Sequence, residues 1–241
     1  MDVVLLPGVG CDAGQFHHQE RALSAGHRVL ALDLPGHGDA PPLPGPVTLA
    51  AVVDDVAARL EAHRATRRGA RPAALVGHST GGVVALLLAL ARPDLVTRLA
   101  LVDANVPVTP AALAAKRARV AAVDGPGWHA ELVDAMTRAW GPREPALRDA
   151  VVARVAATPE AAVRPLWRAV LDLDPRPALA AVAVPALYVR SSRDVDAEAL
   201  WRCNPRFTSV DLRSLRAGHW PHLVEPGAVT AALASFLAAP G

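Results

Sequence analysis

The sequence predicts an α/β fold in which a mostly parallel sheet is covered by helices on both faces. Two observations carry this prediction. Short, nearly continuous apolar runs indicate buried strands, and amphipathic or apolar helical patterns lie between most of them. The 241 residues are enough for one such domain, and 52% of them are hydrophobic. The predicted strands are residues 3–6, 28–32, 73–76, 98–102, 186–189 and 208–212.

Two helical segments in the first part of the chain have clear patterns. Apolar residues at positions 49, 52, 53, 56 and 60 share one helix face, and Thr48 is a suitable N-cap. Residues 83–90 are apolar on all sides, which indicates a helix buried against the sheet, and Pro93 marks its end. In a parallel sheet of this kind, reactive groups gather at the carboxyl ends of the strands.

The alternation of strands and helices stops between Asn105 and Ala181, where helical patterns are interrupted by Pro and Gly. We predict a helical cap at residues 105–180, inserted over the carboxyl edge of a core formed by residues 1–104 and 181–241. Three tryptophans of the cap either hold its helices together or line a substrate pocket. The candidate pocket residues are Trp128, Trp140 and Trp167 and, outside the cap, Trp220.

A Gly-x-Ser-x-Gly sequence, from Gly77 to Gly81, follows one predicted strand and precedes the apolar helix. In this context the turn holds the serine in strained backbone geometry and presents its hydroxyl above the sheet edge. The flanking glycines are needed because a Cβ at either position would clash. Ser79 is therefore the candidate nucleophile.

A serine hydroxyl requires a base, usually histidine, and a group that orients the histidine. The candidate base is His219, on a loop between the last predicted strand and the final helix. The preceding Gly218 permits a sharp loop there. His222 is the rival, although it lies where the next helix can begin.

Two aspartates at strand ends are candidates for the orienting acid. We favour Asp194, which follows the strand at 186–189 and fits the chain order Ser, Asp, His. Asp103 ends the strand at 98–102 and stays an alternative, because neighbouring strand ends bring both carboxylates within reach of the histidine. Asp196 is expected to cap or to solvate the helix that follows it.

The Gly-rich loop after the first strand is expected to aim a backbone amide at the reacting carbonyl oxygen. The candidate oxyanion donors are the amides of Val9 and Thr80. The sequence contains no metal-binding motif, no Walker sequence and no complete dinucleotide-binding glycine pattern. We therefore predict neither a metal nor a cofactor.

Bulk composition argues against several other classes of protein. The net charge is only +2 and the basic residues are scattered, which predicts no binding to nucleic acid or to a membrane surface. The first residues enter a strand directly, without the features of a signal peptide. With only two cysteines, the chain is expected to be cytoplasmic. The expected partner is a small-molecule substrate.

Taken in chain order, these features resemble the α/β-hydrolase fold family, in the branch with a helical cap. The family usually has His-Gly where this chain has Pro7-Gly8, and an antiparallel hairpin that is missing before the first predicted strand. The resemblance implies a cofactor-free serine hydrolase acting on a small, fairly apolar carboxylic ester; a lactone, a thioester or a carbon–carbon bond beside a ketone would use the same residues. A ligand receptor with little or no turnover is the alternative from another class. The matching segments are Pro7-Gly8, Phe16, residues 33–38, residues 77–82, Asp194 and residues 218–220.

Overall fold

A single parallel sheet organises the chain in the computed structural model, which describes residues 1–66 and 71–239. Its strands are β1 Asp2–Leu6, β2 Arg28–Ala31, β3 Ala73–His78, β4 Val96–Val102, β5 Ala186–Arg190 and β6 Phe207–Asp211. They lie in the order β2-β1-β3-β4-β5-β6. Every predicted strand is present, and its ends differ from the prediction by no more than two residues. β1 is paired on both sides, so β2 forms that edge of the sheet.

The helices include the two that the sequence patterns predict. In chain order they are α1 His17–Leu23, α2 Leu49–Ala65, α3 Thr80–Ala91, α4 Pro110–Arg117, α5 Val120–Asp124, α6 Trp128–Ala139, α7 Pro145–Ala157, α8 Glu160–Asp172, α9 Arg176–Ala181, α10 Ala197–Cys203, α11 Pro221–Val224 and α12 Pro226–Ala238. α3 is buried on nearly all sides, as its apolar sequence predicts. Within the described residues, no helix is long and apolar enough to cross a lipid bilayer.

Helices cover both faces of the sheet. Successive side chains of a strand point to opposite faces and therefore pack into two different hydrophobic clusters. In β1, Val4 and Leu6 pack into one cluster with residues of α2 and α3. Val3 and Leu5 pack into the other cluster with residues of α1 and α12. All four side chains are buried. The predicted fold class is confirmed.

Helices α4 to α9 lie between β4 and β5 in the chain and pack onto the same side of the sheet as α3. Val163, Leu166 and Val170 of α8 belong to one hydrophobic cluster with α3 and the sheet. The Thr158 hydroxyl donates a hydrogen bond of 3.0 Å to the carbonyl oxygen of Gly10, in the loop after β1. These helices thus contact the carboxyl edge of the sheet. The division into a core and a cap at residues 105–180 stays a prediction.

The Thr48 N-cap provides a test of the local sequence rules. Its hydroxyl accepts a hydrogen bond of 3.1 Å from the Ala51 amide at the start of α2. We expect Thr48→Ala to lower the free energy of unfolding by about 1 kcal/mol, because this amide loses its acceptor. Thr48→Ser keeps an acceptor oxygen and is expected to retain most of the stability. Urea denaturation measures both values, and equal losses in the two variants would contradict the capping role.

Candidate active site

The turn between β3 and α3 places Ser79 in a backbone conformation that residues other than glycine rarely adopt, with φ 52° and ψ −116°. Two neighbours must be glycine because the backbone is crowded. A Cβ on Gly77 would lie 2.3 Å from the Gly81 carbonyl oxygen, and a Cβ on Gly81 would lie 2.2 Å from that of Leu6. The Ser79 side chain is thereby held at the carboxyl end of β3, as the sequence predicts.

His219 lies beside Ser79, and its ring Nε2 is 2.9 Å from the Ser79 Oγ. The loop that carries it follows β6 and is fixed by the end of α6. The His219 amide donates a hydrogen bond of 2.8 Å to the Ala139 carbonyl oxygen, and Gly218 pairs with Trp140 in an isolated antiparallel bridge. The ring is buried, with 1% of the residue exposed.

Asp103, at the end of β4, holds the other ring nitrogen. Its Oδ2 is 2.7 Å from the His219 Nδ1 and also accepts a hydrogen bond of 2.6 Å from the Ser192 hydroxyl. Its Oδ1 accepts hydrogen bonds from three successive backbone amides in the loop after β5. These amides belong to Ser191 (2.9 Å), Ser192 (2.8 Å) and Arg193 (3.0 Å). The carboxylate is fully buried, and all its oxygens have partners.

The structure corrects our expectation that Asp194 stands against His219. The Asp194 side chain is 95% exposed and pairs with Arg190. The reason is the direction of the chain at the two neighbouring strand ends. Asp103 has a φ of 45°, which Asp tolerates better than most residues, and its side chain turns inward. The loop after β5 contributes its amides to that carboxylate, and Asp194 follows these amides at the surface.

The prediction for the second aspartate of this loop is confirmed. The Asp196 Oδ1 accepts a hydrogen bond of 2.7 Å from the Ala199 amide, so Asp196 is the N-cap of α10.

The charges of Asp103 and His219 follow from their surroundings. Burial alone would raise the pKa of Asp103, but the hydrogen bond and charge of His219, with the Arg193 charge and the Ser192 hydroxyl, lower it to about 2. Burial lowers the pKa of His219, as does the charge of Arg193, while Asp103 opposes both. The imidazole is therefore neutral at neutral pH. A carboxylate only accepts hydrogen bonds, so the proton sits on Nδ1 and Nε2 is free to accept the Ser79 proton.

Two backbone amides near Ser79 have no acceptor within the described residues. Gly8 lies against the nucleophile, since a Cβ built on it would be 3.2 Å from the Ser79 Cβ. The next residue, Val9, and the first residue of α3, Thr80, are both buried. Among the described residues, neither amide donates a hydrogen bond to a backbone or side-chain acceptor. The two amides predicted from sequence are thus available to a ligand.

Two more buried histidines lie near His219: the His78 ring centroid is 4.6 Å from that of His219 and 4.4 Å from that of His222. The His78 Nε2 donates a hydrogen bond of 2.7 Å to the His219 carbonyl oxygen and so helps to fix that loop. The sequence shows His78 only as a variable position of the Gly-x-Ser-x-Gly pattern and gives no signal for this contact. His222, the rival base, is stacked on Phe16 at 4.7 Å. Burial lowers the pKa of His222 to about 3.

Two cavities adjoin the residues that flank Asp103 and His219. The first has a volume of 380 Å³ and is lined in part by Ala104, the residue after Asp103. The second has a volume of 620 Å³ and reaches Gly218. Three residues line both cavities: Arg119, Arg193 and Asp194.

The four candidate pocket tryptophans are all buried. Trp140 lines the larger cavity, and its ring centroid is 5.1 Å from that of Trp220. Trp128 and Trp167 each lie below an arginine guanidinium, 5.5 Å from the ring centroid. Their placement thus differs, and their contact with substrate stays a prediction.

In the part of the chain that the structure describes, no group of three or more His, Cys, Asp or Glu side chains is arranged to hold a metal ion. The histidine closest to Ser79 instead has both ring nitrogens engaged, by the serine and by Asp103.

Comparison with known proteins identifies the family. The model of the alpha/beta hydrolase family matches residues 3–233 of this chain. A solved hydrolase from Pseudomonas aeruginosa PA01 has 28% sequence identity and a TM-score of 0.79, with 99% of this chain and 90% of that chain covered. The protein therefore belongs to the alpha/beta hydrolase family, whose fold it has.

Curated relatives match a shorter part of the chain. A pimeloyl-[acyl-carrier protein] methyl ester esterase of Neisseria meningitidis serogroup B is 41% identical over 99 residues, which are 41% of this chain and 34% of the relative. A putative carbamate hydrolase, RutD, of Klebsiella pneumoniae is 36% identical over 109 residues, which are 45% of this chain and 39% of the relative. The matched segments thus span little more than a third of these relatives.

The buried carboxylate of Asp103 makes stability depend on pH. Its pKa falls from an ordinary value of 3.8 to about 2 on folding. At a pH above the unfolded-state pKa, ionised Asp103 therefore contributes roughly 2 kcal/mol of stability. This contribution is lost as the pH falls through the folded-state pKa. We expect the difference in unfolding free energy between wild type and Asp103→Asn to shrink by about 2 kcal/mol from pH 7 to pH 2.

Denaturant titrations at both pH values measure this difference. Asp194→Asn is the matched control, because removal of an exposed carboxylate is expected to change stability by less than about 0.5 kcal/mol. A difference between wild type and Asp103→Asn that stays constant with pH would contradict the proposed ionisation.

Proposed function

We propose that this protein is a serine hydrolase that cleaves a small carboxylic ester through a Ser79–His219–Asp103 triad. One observation carries the proposal. The Ser79 hydroxyl, the His219 ring and the Asp103 carboxylate form a continuous chain of contacts of 2.9 Å and 2.7 Å. All three groups come from loops at the carboxyl ends of different parallel strands, where chemistry gathers in such sheets.

The proposed reaction follows from the protonation states of these groups. Ser79 Oγ attacks the ester carbonyl carbon while His219 Nε2 takes its proton, and Asp103 stabilises the imidazolium that forms. The amides of Val9 and Thr80 donate to the oxyanion, and removal of one such donor typically costs about 10²–10³ in rate. The imidazolium then protonates the leaving alcohol as the C–O bond breaks. Water, deprotonated by His219, releases the acid from the acyl-enzyme.

The choice of an ester rests on two kinds of support. The curated relatives include an esterase and a putative carbamate hydrolase, which act at the same kind of carbonyl centre. The cavities of 380 and 620 Å³ have the size of small-molecule sites. Hydrolysis of a lactone, a thioester or a carbon–carbon bond would use the same groups. A receptor that binds but does not turn over its ligand is the alternative that the experiments must exclude.

Ser79→Ala is expected to abolish labelling by a fluorophosphonate probe and to lower kcat for 4-nitrophenyl butyrate by roughly 10⁶, because no other group supplies the nucleophile. Gel fluorescence and ester hydrolysis are the two measurements. Ser24→Ala, an exposed serine at the end of α1, is the control and should match wild type. A Ser79→Ala protein that retains a tenth of the rate would exclude the proposed nucleophile; a wild type that binds ligand without turnover would identify a receptor.

The acid assignment is tested by comparing two aspartates. Asp103→Asn is expected to lower kcat by about 10⁴, because an amide in this position favours the wrong imidazole tautomer. Asp194→Asn is expected to hydrolyse a neutral ester at a rate within about twofold of wild type, since its side chain faces solvent. Steady-state kinetics with 4-nitrophenyl butyrate decide the order. A larger loss in Asp194→Asn would return the acid role to that residue.

A further inference from the structure

The smaller of the two cavities is lined by an excess of positive charge. Of its charged lining residues, Lys116, Arg119 and Arg193 are cationic, and Asp194 is the single anionic one. The Asp194 carboxylate already pairs with Arg190 and is directed toward solvent. The cavity therefore contains three cations whose charge is not balanced by its own walls.

Hydrogen bonds and ion pairs offset only part of this positive charge. Lys116 is only 6% exposed, and its Nζ donates to two neutral carbonyl oxygens, those of Leu173 at 2.8 Å and Asn105 at 3.4 Å. Arg119 has one acidic partner, Glu131, at 3.4 Å. The Arg193 Nε is buried and has no hydrogen-bond partner among the described residues.

The charge of Arg193 disfavours the charged forms of Lys116 and Arg119. Burial, followed by the charges of Arg193 and Arg117, lowers the pKa of Lys116 to about 8, against the opposing effect of Asp174 and Asp172. A buried charge is costly unless it is well partnered, and an anion bound among these three cations would partner them.

This cavity adjoins the proposed reaction centre. It is lined by Ala104, which directly follows Asp103 in the chain. The Arg193 amide donates to Asp103, while the Arg193 side chain lines the cavity. Arg119 and Arg193 also line the larger cavity, which reaches Gly218, the residue before His219. The side chains of these two arginines therefore share cavities with residues that directly adjoin Asp103 and His219 in the chain.

We propose that the Lys116–Arg119–Arg193 cavity binds an anionic end group of the substrate, a carboxylate or a phosphate monoester, so that the preferred ester carries a negative charge away from the scissile bond. The inference rests on the proposed hydrolase function. The remaining walls are suited to a short alkyl chain, because Val106, Leu171 and Val195 line the same 380 Å³. Arginine forks match the paired oxygens of such anions.

Two esters that differ only at the chain end test this inference. 4-Nitrophenyl hexanoate ends in a methyl group, and 4-nitrophenyl hydrogen adipate ends in a carboxylate at the same position. We expect kcat/KM to be about 10- to 100-fold higher for the adipate ester, the range that one or two hydrogen bonds to charged groups provide. Equal values for the two esters would overturn the anion site and leave the hydrolase proposal standing.

Variants connect the preference to the cavity. Arg119→Gln is expected to reduce the ratio of the two kcat/KM values by about tenfold, because one charged donor is lost. Lys116→Gln, measured in parallel, should reduce the ratio as well and serves as the test if Arg119→Gln does not fold. Arg202→Gln is the matched control, since this exposed arginine of α10 pairs with Glu198, lines neither cavity and should keep the wild-type ratio. An unchanged ratio in folded cavity variants would overturn the inference.

Direct binding separates this inference from the hydrolase proposal. If wild type hydrolyses neither ester, the hydrolase proposal fails, and titration calorimetry with adipate and with butyl phosphate decides the anion site. Binding that weakens in Arg119→Gln would support the site, and the tighter ligand would distinguish a carboxylate from a phosphate end group. Failure of both ligands to bind to wild type would overturn it.

Discussion

The buried carboxylate of Asp103 is the interaction on which the geometry of the site depends. It joins three segments that are far apart in the sequence: the end of β4, the loop after β5 and the loop of His219. Burying a charge costs several kcal/mol unless it is well partnered. Three amides, a hydroxyl and an imidazole supply the partners here. The same bonds that stabilise the charge therefore fix the orientation of the ring.

The strained turn at Ser79 depends in the same way on the packing around it. α3 is apolar on nearly all sides and is held between the sheet and α8, so the helix cannot shift to relax the turn. The backbone of Leu6 occupies the space beside Gly81 and leaves no room for a side chain. Rigid packing on both sides of the turn is what maintains a conformation that an isolated peptide would leave.

The loop after β5 both binds the Asp103 carboxylate and contributes to the cavity that we propose recognises the substrate. Its amides face Asp103, and the side chain of Arg193 in the same loop lines the cavity next to that carboxylate. The positive charge of Arg193 also contributes to keeping Asp103 ionised. An anion bound in the cavity would therefore interact with the same arginine charge that acts on Asp103. In our proposal, one loop serves both the triad and the recognition of a charged substrate.

The sequence by itself determined the six strands, the capped helix α2, the Ser79 turn and the position of His219 on its loop, because each depends on a local pattern of apolar residues, caps and glycines. Only the tertiary structure decided between Asp103 and Asp194. Both follow neighbouring parallel strands, and the choice depends on the direction of each side chain after the strand ends, which no local pattern reports. The cationic cavity was hidden for a related reason. Lys116 and Arg119 lie far from Arg193 in the chain, and only folding brings their charges together.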